Sequence, residues 1–145
     1  MLDFKKIQKA YFLGIGGIGM SALARHFNSE GVHVFGYDKT ETVLTKQLEK
    51  EGMQIGFEDE VSAIPQGIDI VVYTPAIPKD HKQFNYFLQN NFTVKKRSEI
   101  LQEIIVLLVF LRDSRSINNQ INSLRNQIHF IFITYLHTFF FQLLS

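Results

Sequence analysis

The sequence contains no cysteine and no tryptophan among its 145 residues, and only three prolines. Without cysteine there is no disulfide and no thiolate ligand for a metal, which fits a reducing compartment. An excess of one charge is also missing, because 15 basic and 14 acidic side chains leave a formal net charge of +1. This balance argues against a nucleic-acid partner. The stretch before residue 9 has no apolar run of signal-peptide length, so we expect a cytoplasmic protein.

Glycine, in contrast, is concentrated near the N-terminus, in the run AYFLGIGGIGMSALA over residues 10–24. Gly14, Gly16 and Gly19 have the G-x-G-x-x-G spacing, which permits a tight turn, a close approach of the backbone to a pyrophosphate, and close packing of helix on strand. Free N–H groups at the start of the helix would then face an anion. The alternative is a glycine-rich turn that binds nothing.

The elements around these glycines predict a β-α-β unit. A strand over residues 9–13 precedes them, and Met20, Leu23, Ala24 and Phe27 follow at the spacing of a buried helical stripe. A second strand over residues 33–37 ends at Asp38, about twenty residues beyond the glycines, where an acidic side chain meets a ribose hydroxyl. Asp38 is otherwise a loop carboxylate or a helix cap.

The rest of the N-terminal part continues the alternation of strands and helices. We predict a helix over residues 42–51 with Val43, Leu44 and Leu48 inward, a strand over 54–56, and a strand at the sheet centre over 68–73. A helix over 82–90 with Phe84, Phe87 and Leu88 inward, a strand over 92–95, and a helix over 99–103 capped by Ser98 complete the pattern. The fold class is therefore α/β, a Rossmann-like, mostly parallel sheet with helices on both faces.

Four further groups of residues bear on function. The segment Thr74, Pro75, Ala76, Ile77 follows a buried strand, where ligands bind, although its prolines also suit a rigid loop. Residues 95–97 are either a solvated strand end or the source of a cation for a phosphate. The acidic run of residues 58–60 is interpreted as a solvated face, and the histidines lack metal-ligand spacing. We predict neither a metal site nor a catalytic residue.

Four segments together resemble the Mur ligases, and among them the alanine-adding branch: GIGGIGMSALA from residue 14, GYDK from residue 36, VVYTPAIPKDH from residue 71 and VKKRSEIL from residue 94. The resemblance covers roughly residues 5–104. It implies the N-terminal domain, which in this family holds the UDP part of UDP-N-acetylmuramate for peptidoglycan precursor synthesis. The alternative is the NAD-binding Rossmann domain of an oxidoreductase or sensor.

The resemblance also implies roles for individual residues. The backbone of residues 16–20 would take the diphosphate, Asp38 would lie in the ribose or uracil region, residues 74–77 would form a wall beside the nucleotide, and Arg97 would reach a phosphate. The full set of predicted substrate-binding residues is Gly14, Gly16, Gly17, Ile18, Gly19, Met20, Asp38, Thr74, Pro75, Ala76, Ile77 and Arg97.

The family's ATP-dependent ligation needs a further loop. The resemblance places that loop, G-T-H-G-K-T-T, shortly after residue 98, but the sequence has no G-x-x-x-x-G-K-[ST] anywhere. We therefore expect no cofactor in these 145 residues, with ATP and Mg²⁺ belonging to the full-length enzymes, and expect this chain to bind substrate without ligating it. Its oligomeric state is left open.

The composition changes from residue 105 onward. The segment 105–145 has no glycine, alanine or proline, and Asp113 is its only acidic residue. We predict two parts, a domain over 1–104 and an atypical apolar tail, helical or disordered, over 105–145. A frameshift, a marginal membrane segment over 128–144, or a genuine helical tail with the stripe Ile117, Ile121, Leu124 and Ile128 would each explain it.

Overall fold

The computed structural model describes residues 3–113, and five parallel strands form its single sheet. The strands are β1 (Lys9–Leu13), β2 (His33–Tyr37), β3 (Gln54–Gly56), β4 (Ile70–Tyr73) and β5 (Val94–Lys96). Their order is β3-β2-β1-β4-β5. The predicted bounds of the first three strands are confirmed. The middle strand is β1 and not β4, because the chain winds outward from β1 first to one side and then to the other.

Helices cover both faces of this sheet, as predicted. They are α1 (Ile18–Ser29), α2 (Val43–Lys50), α3 (Lys82–Gln89) and α4 (Arg97–Asp113), with short 3-10 turns at Phe4–Lys6 and Val61–Ala63. Successive side chains of a strand point to opposite faces. Ala10 and Phe12 of β1 therefore pack with α1, α2 and α4. Tyr11 and Leu13 pack on the other face with Phe87 of α3.

The buried stripe predicted for α1 is confirmed, since Met20, Leu23, Ala24 and Phe27 are all at most 2% exposed. Two other predicted stripes are partly wrong. Val43, at the start of α2, is 76% exposed, and Thr45 is buried in its place. In α3, Leu88 is 53% exposed while Gln83 is buried.

The last described helix, predicted over residues 99–103, differs from the prediction at both its start and its end. Ser98 lies within α4 and does not precede it, because the helix begins at Arg97 and runs without a break to Asp113. The predicted boundary between residues 104 and 105 falls inside this helix and stays a prediction. The membrane segment over 128–144 and the apolar stripe over 117–128 lie outside the described residues. Within residues 3–113, no helix is both long and apolar enough to cross a bilayer.

Candidate functional site

The glycine loop follows β1 and is fixed to the end of β2 by its own backbone. The N–H groups of Gly14 and Ile15 donate to the carbonyl of Tyr37 at 2.8 and 3.1 Å, and the N–H of Gly17 donates to the carbonyl of Gly14 at 3.2 Å. Gly14 has φ +82°, a conformation that L side chains rarely adopt. The requirement for glycine at position 14 is therefore a property of the turn itself.

Three backbone donors remain at the start of α1. The N–H groups of Ile18, Gly19 and Met20 make no hydrogen bond within residues 3–113, as expected for the first turn of a helix. Gly17 precedes them in an extended conformation and is exposed, with no side chain over the loop. Because the helix dipole adds positive potential here, this turn is suited to an anion.

Asp38 lies beside the same loop, but its carboxylate is already engaged. Oδ2 accepts a hydrogen bond of 2.7 Å from the N–H of Gly16, and Oδ1 accepts one of 3.3 Å from the N–H of Thr40. Asp38 is thus a loop carboxylate, one of the three roles that its position in the sequence allowed. A carboxylate has about four lone-pair sites, so these two bonds leave room for a ligand hydroxyl.

Gly16 lies where the fold leaves no space for a side chain. A Cβ atom on Gly16 would lie 2.8 Å from Oδ2 of Asp38 and 3.0 Å from Cγ2 of Thr45, and its φ is not positive. The side chain is therefore excluded by the protein's own atoms. At Gly17, the next residue, a Cβ atom would meet nothing closer than 3.5 Å.

The segment after β4 contacts the glycine loop. Residues 74–77 make a turn in which the N–H of Ile77 donates to the carbonyl of Thr74 at 3.1 Å. A Cβ atom on Gly14 would lie 2.7 Å from Cγ2 of Thr74 and 3.6 Å from Cδ1 of Ile77, so the two loops are in contact. Pro75 and Ala76 are exposed. The loops meet where the winding of the sheet reverses, between β1 and β4, which is where open α/β sheets bind ligands.

Arg97 follows β5 at this carboxyl edge. Tyr73, which immediately precedes Thr74, is paired with Lys96 in the sheet, so the backbone of Arg97 begins one strand away from the wall segment. The Arg97 side chain is half-buried and has no hydrogen bond or ion pair within the described residues. Lys95, in contrast, pairs with Glu103 at 3.3 Å. Of residues 95–97, Arg97 is thus the one whose charged side chain is half-buried and has no ion-pair partner among the described residues.

A polar cluster that the sequence did not predict lies at the start of α3. Both oxygens of Asp59 accept from the start of α3: Oδ2 from the N–H of Lys82 at 2.7 Å and Oδ1 from the N–H of Gln83 at 2.9 Å. Gln83 in turn accepts from the hydroxyl of Tyr11 at 3.0 Å. Burial, partly offset by this bond, raises the pKa of Tyr11 to about 12. Asp59 belongs to the acidic run that we interpreted as a solvated face. Its partner Gln83 lies 24 residues further along the chain, so no local sequence pattern indicates their contact.

His81 completes this cluster as the N-cap of α3. Its Nδ1 accepts from the N–H of Phe84 at 3.3 Å and lies 3.0 Å from Oδ1 of Asp59. Its ring contacts that of Tyr37, and its buried Nε2 has no hydrogen-bond partner among the described residues. Burial lowers the pKa of His81, although Asp59 opposes the shift. Among residues 3–113 no three histidine or acidic side chains are grouped so as to hold a metal ion.

Comparison with known proteins identifies relatives of this chain. The family model described as "Mur ligase family, catalytic domain" matches residues 9–107. The UDP-N-acetylmuramate--L-alanine ligase of Christiangramia forsetii is 50% identical over 107 residues, which are 70% of this chain and 24% of that protein. The corresponding ligase of Porphyromonas gingivalis is 46% identical over 106 residues, 70% of this chain and 23% of that protein.

A solved structure is similar to this chain as well. The UDP-N-acetylmuramate-alanine ligase MurC of Thermotoga maritima superimposes with a TM-score of 0.65 at 31% identity, covering 69% of this chain and 23% of that one. The chain thus spans about a quarter of the length of the curated relatives it matches. Because the family model covers residues 9–107, more than half of the sequence, the chain belongs to the Mur ligase family.

Proposed function

We propose that residues 9–107 bind the UDP part of UDP-N-acetylmuramate, the compound for which the relatives are named. The observation that carries this proposal is the set of three N–H groups at Ile18–Met20 that have no hydrogen-bond partner within residues 3–113. A helix start of this kind favours a phosphate. The similarity to alanine-adding ligases favours a uridine diphosphate sugar over NAD.

Most of the predicted site residues contact the ligand in this proposal, while Gly14 and Gly16 shape the loop. The N–H groups of Ile18, Gly19 and Met20 bind the diphosphate, next to the exposed Gly17. Asp38 accepts from a ribose hydroxyl or the uracil with the lone pairs that Gly16 and Thr40 leave free. Residues 74–77 form the wall, and Arg97 supplies a cation to a phosphate.

Ligation itself is proposed only for a whole Mur ligase. The relatives are about four times longer than the matched segment, and we propose that their ATP and Mg²⁺ sites lie outside the part that this chain shares with them. In that scheme the shared segment holds one substrate while other domains form the amide. We propose that this takes place in the cytoplasm.

The proposal is tested by calorimetry on the purified chain with UDP-N-acetylmuramate, UDP, UMP and NAD. UDP-N-acetylmuramate and UDP should bind more tightly than UMP, because UMP lacks the second phosphate, and more tightly than NAD. If NAD binds as well as UDP or better, the proposal is wrong and the dinucleotide alternative gains support. Equal binding of UMP and UDP would contradict the role assigned to residues 18–20.

A further inference from the structure

The strand β5 continues into α4 without a connecting loop. Lys96 is the last residue of the strand, and Arg97 is the first residue of the helix. Across this junction, Oε2 of Glu99 accepts a hydrogen bond of 2.7 Å from the N–H of Lys96. A glutamate at the third position of a helix closes the helix start in this way. Lys96 has no side-chain acceptor with which to form the second bond of a complete capping box.

Arg97 lies between the two residues that this hydrogen bond joins. Lys96, which precedes it, is paired with Tyr73 in the sheet, and Ile100, in the same first turn of α4, is fully buried. Side chains two positions apart on a helix do not face each other. In the described part of the chain, Glu99 accordingly forms no ion pair with Arg97 and turns back to the N–H of Lys96. Glu99 thus holds the backbone around Arg97 without neutralising the guanidinium.

The carboxylate of Glu99 has two opposite effects on a phosphate bound by Arg97. Its negative charge repels the phosphate, but Glu99 is exposed, so water and salt screen this repulsion. Its hydrogen bond holds the backbone from which the Arg97 side chain extends, and a binding group that is fixed in advance loses less entropy when the ligand binds. This bond is short and assisted by the charge of the carboxylate.

We propose that Glu99 is a positioning residue for Arg97, and that its effect through the hydrogen bond exceeds its repulsion of the phosphate. This inference rests on the proposed function, in which Arg97 supplies a cation to a phosphate of UDP. It assigns to an acidic side chain a favourable part in binding an anion. The sign of the effect on affinity therefore separates positioning from simple electrostatics.

The test is calorimetry of UDP binding by the full chain, by Glu99→Ala and Glu99→Gln, and by both substitutions combined with Arg97→Gln. Glu99→Ala should weaken UDP binding about three- to ten-fold, the range of one net hydrogen bond. Glu99→Gln keeps an acceptor oxygen for the N–H of Lys96 and should lose less affinity. In the Arg97→Gln background, Glu99→Ala should change the affinity by less than about two-fold, because the group to be positioned is gone.

The matched control for net charge is Glu49→Gln, because Glu49 is exposed in the last turn of α2, which leads to the amino end of β3. We expect it to leave UDP binding unchanged. Urea unfolding of all variants checks that the domain stays folded. Since Glu99 is exposed, its substitution should not unfold the domain.

The other outcomes overturn the inference in distinguishable ways. Tighter UDP binding by Glu99→Ala would show that repulsion dominates, and an equal loss with and without Arg97 would limit Glu99 to stabilising α4. Normal UDP binding by Arg97→Gln alone would mean that Arg97 contacts no phosphate, so that this inference and the role of Arg97 are both wrong. Absence of UDP binding by the unsubstituted chain would contradict the proposed function as a whole.

Discussion

The carboxylate of Asp38 closes the glycine loop by accepting a 2.7 Å hydrogen bond from the N–H of Gly16. The loop after β1 and the end of β2 are thereby joined at the edge of the sheet where the proposed ligand binds. A bond from a backbone N–H to an ionised carboxylate is stronger than one between neutral groups. The site is therefore held in place before any nucleotide arrives.

The different surroundings of Gly16 and Gly17 predict different outcomes for the same substitution. Gly16→Val should lower the free energy of unfolding by about 1–3 kcal/mol, because its Cβ would lie 2.8 Å from Asp38 Oδ2 and 3.0 Å from Thr45 Cγ2. Gly17→Val should fold normally, because the Cβ of residue 17 meets nothing closer than 3.5 Å. It should nevertheless weaken UDP binding about ten-fold, or ~1.4 kcal/mol.

Urea unfolding and calorimetry on both variants check this pair. A Gly16→Val protein of unchanged stability would contradict the close contact with Asp38. Normal UDP binding by Gly17→Val would show that the ligand does not approach the loop at that residue.

Substitutions of Asp38 separate its hydrogen bond from its charge. Asp38→Ala removes the acceptor for the N–H of Gly16 and should lower the free energy of unfolding by about 1–3 kcal/mol. Asp38→Asn keeps one carbonyl oxygen in that place and should lose less. Urea unfolding of the two variants gives the comparison. Equal losses would indicate that the charge of Asp38, and not its acceptor oxygen, stabilises the loop.

Local sequence patterns predicted the elements that form this edge. Neighbouring residues alone indicate the apolar run of β1, the glycine turn and the alternating pattern of β2. Asp38 is the residue that directly follows β2. The predicted site residues from three segments do lie together, because parallel strands bring their carboxyl ends to one edge. The bond between Asp38 and Gly16 was not predictable, since spacing does not show which atoms fill the loop.

The errors in the predicted helix faces have a common cause. Thr45 replaces Val43 inside because its hydroxyl is satisfied by Thr42, both by its carbonyl at 3.0 Å and by its N–H at 2.8 Å. Gln83 is buried because its side chain reaches the hydroxyl of Tyr11 and the carbonyls of the distant residues 58 and 60. A polar residue is tolerated in a core when its hydrogen bonds are made. Periodicity of apolar residues cannot reveal such partners.

Arg97 should affect binding without affecting stability. Its guanidinium has no partner within residues 3–113, so Arg97→Gln removes no internal contact. We expect about a ten-fold loss of UDP affinity, in the range of one hydrogen bond to a charged group, and a smaller dependence of binding on salt. Lys6→Gln is the matched control, because Lys6 lies just before β1, at the amino end of the sheet. A similar loss in both variants would indicate only a general effect of net charge.

Acidification should destabilise the domain through His81. Burial lowers the pKa of His81 in the folded state, so the unfolded chain binds a proton at a higher pH than the folded chain does. The contribution to stability is complete above about pH 6.5 and is lost as the pH falls below that value. Burial also lowers the pKa of His26, which adds to the effect.

His81→Asn keeps a side-chain acceptor at the N-cap of α3 while removing the titrating group. Urea unfolding of both proteins at pH 7.5 and 5.5 should therefore show a smaller loss of stability on acidification for His81→Asn. An equal loss in both proteins would mean that His26 or the carboxylates, and not His81, determine the stability of the domain in acid.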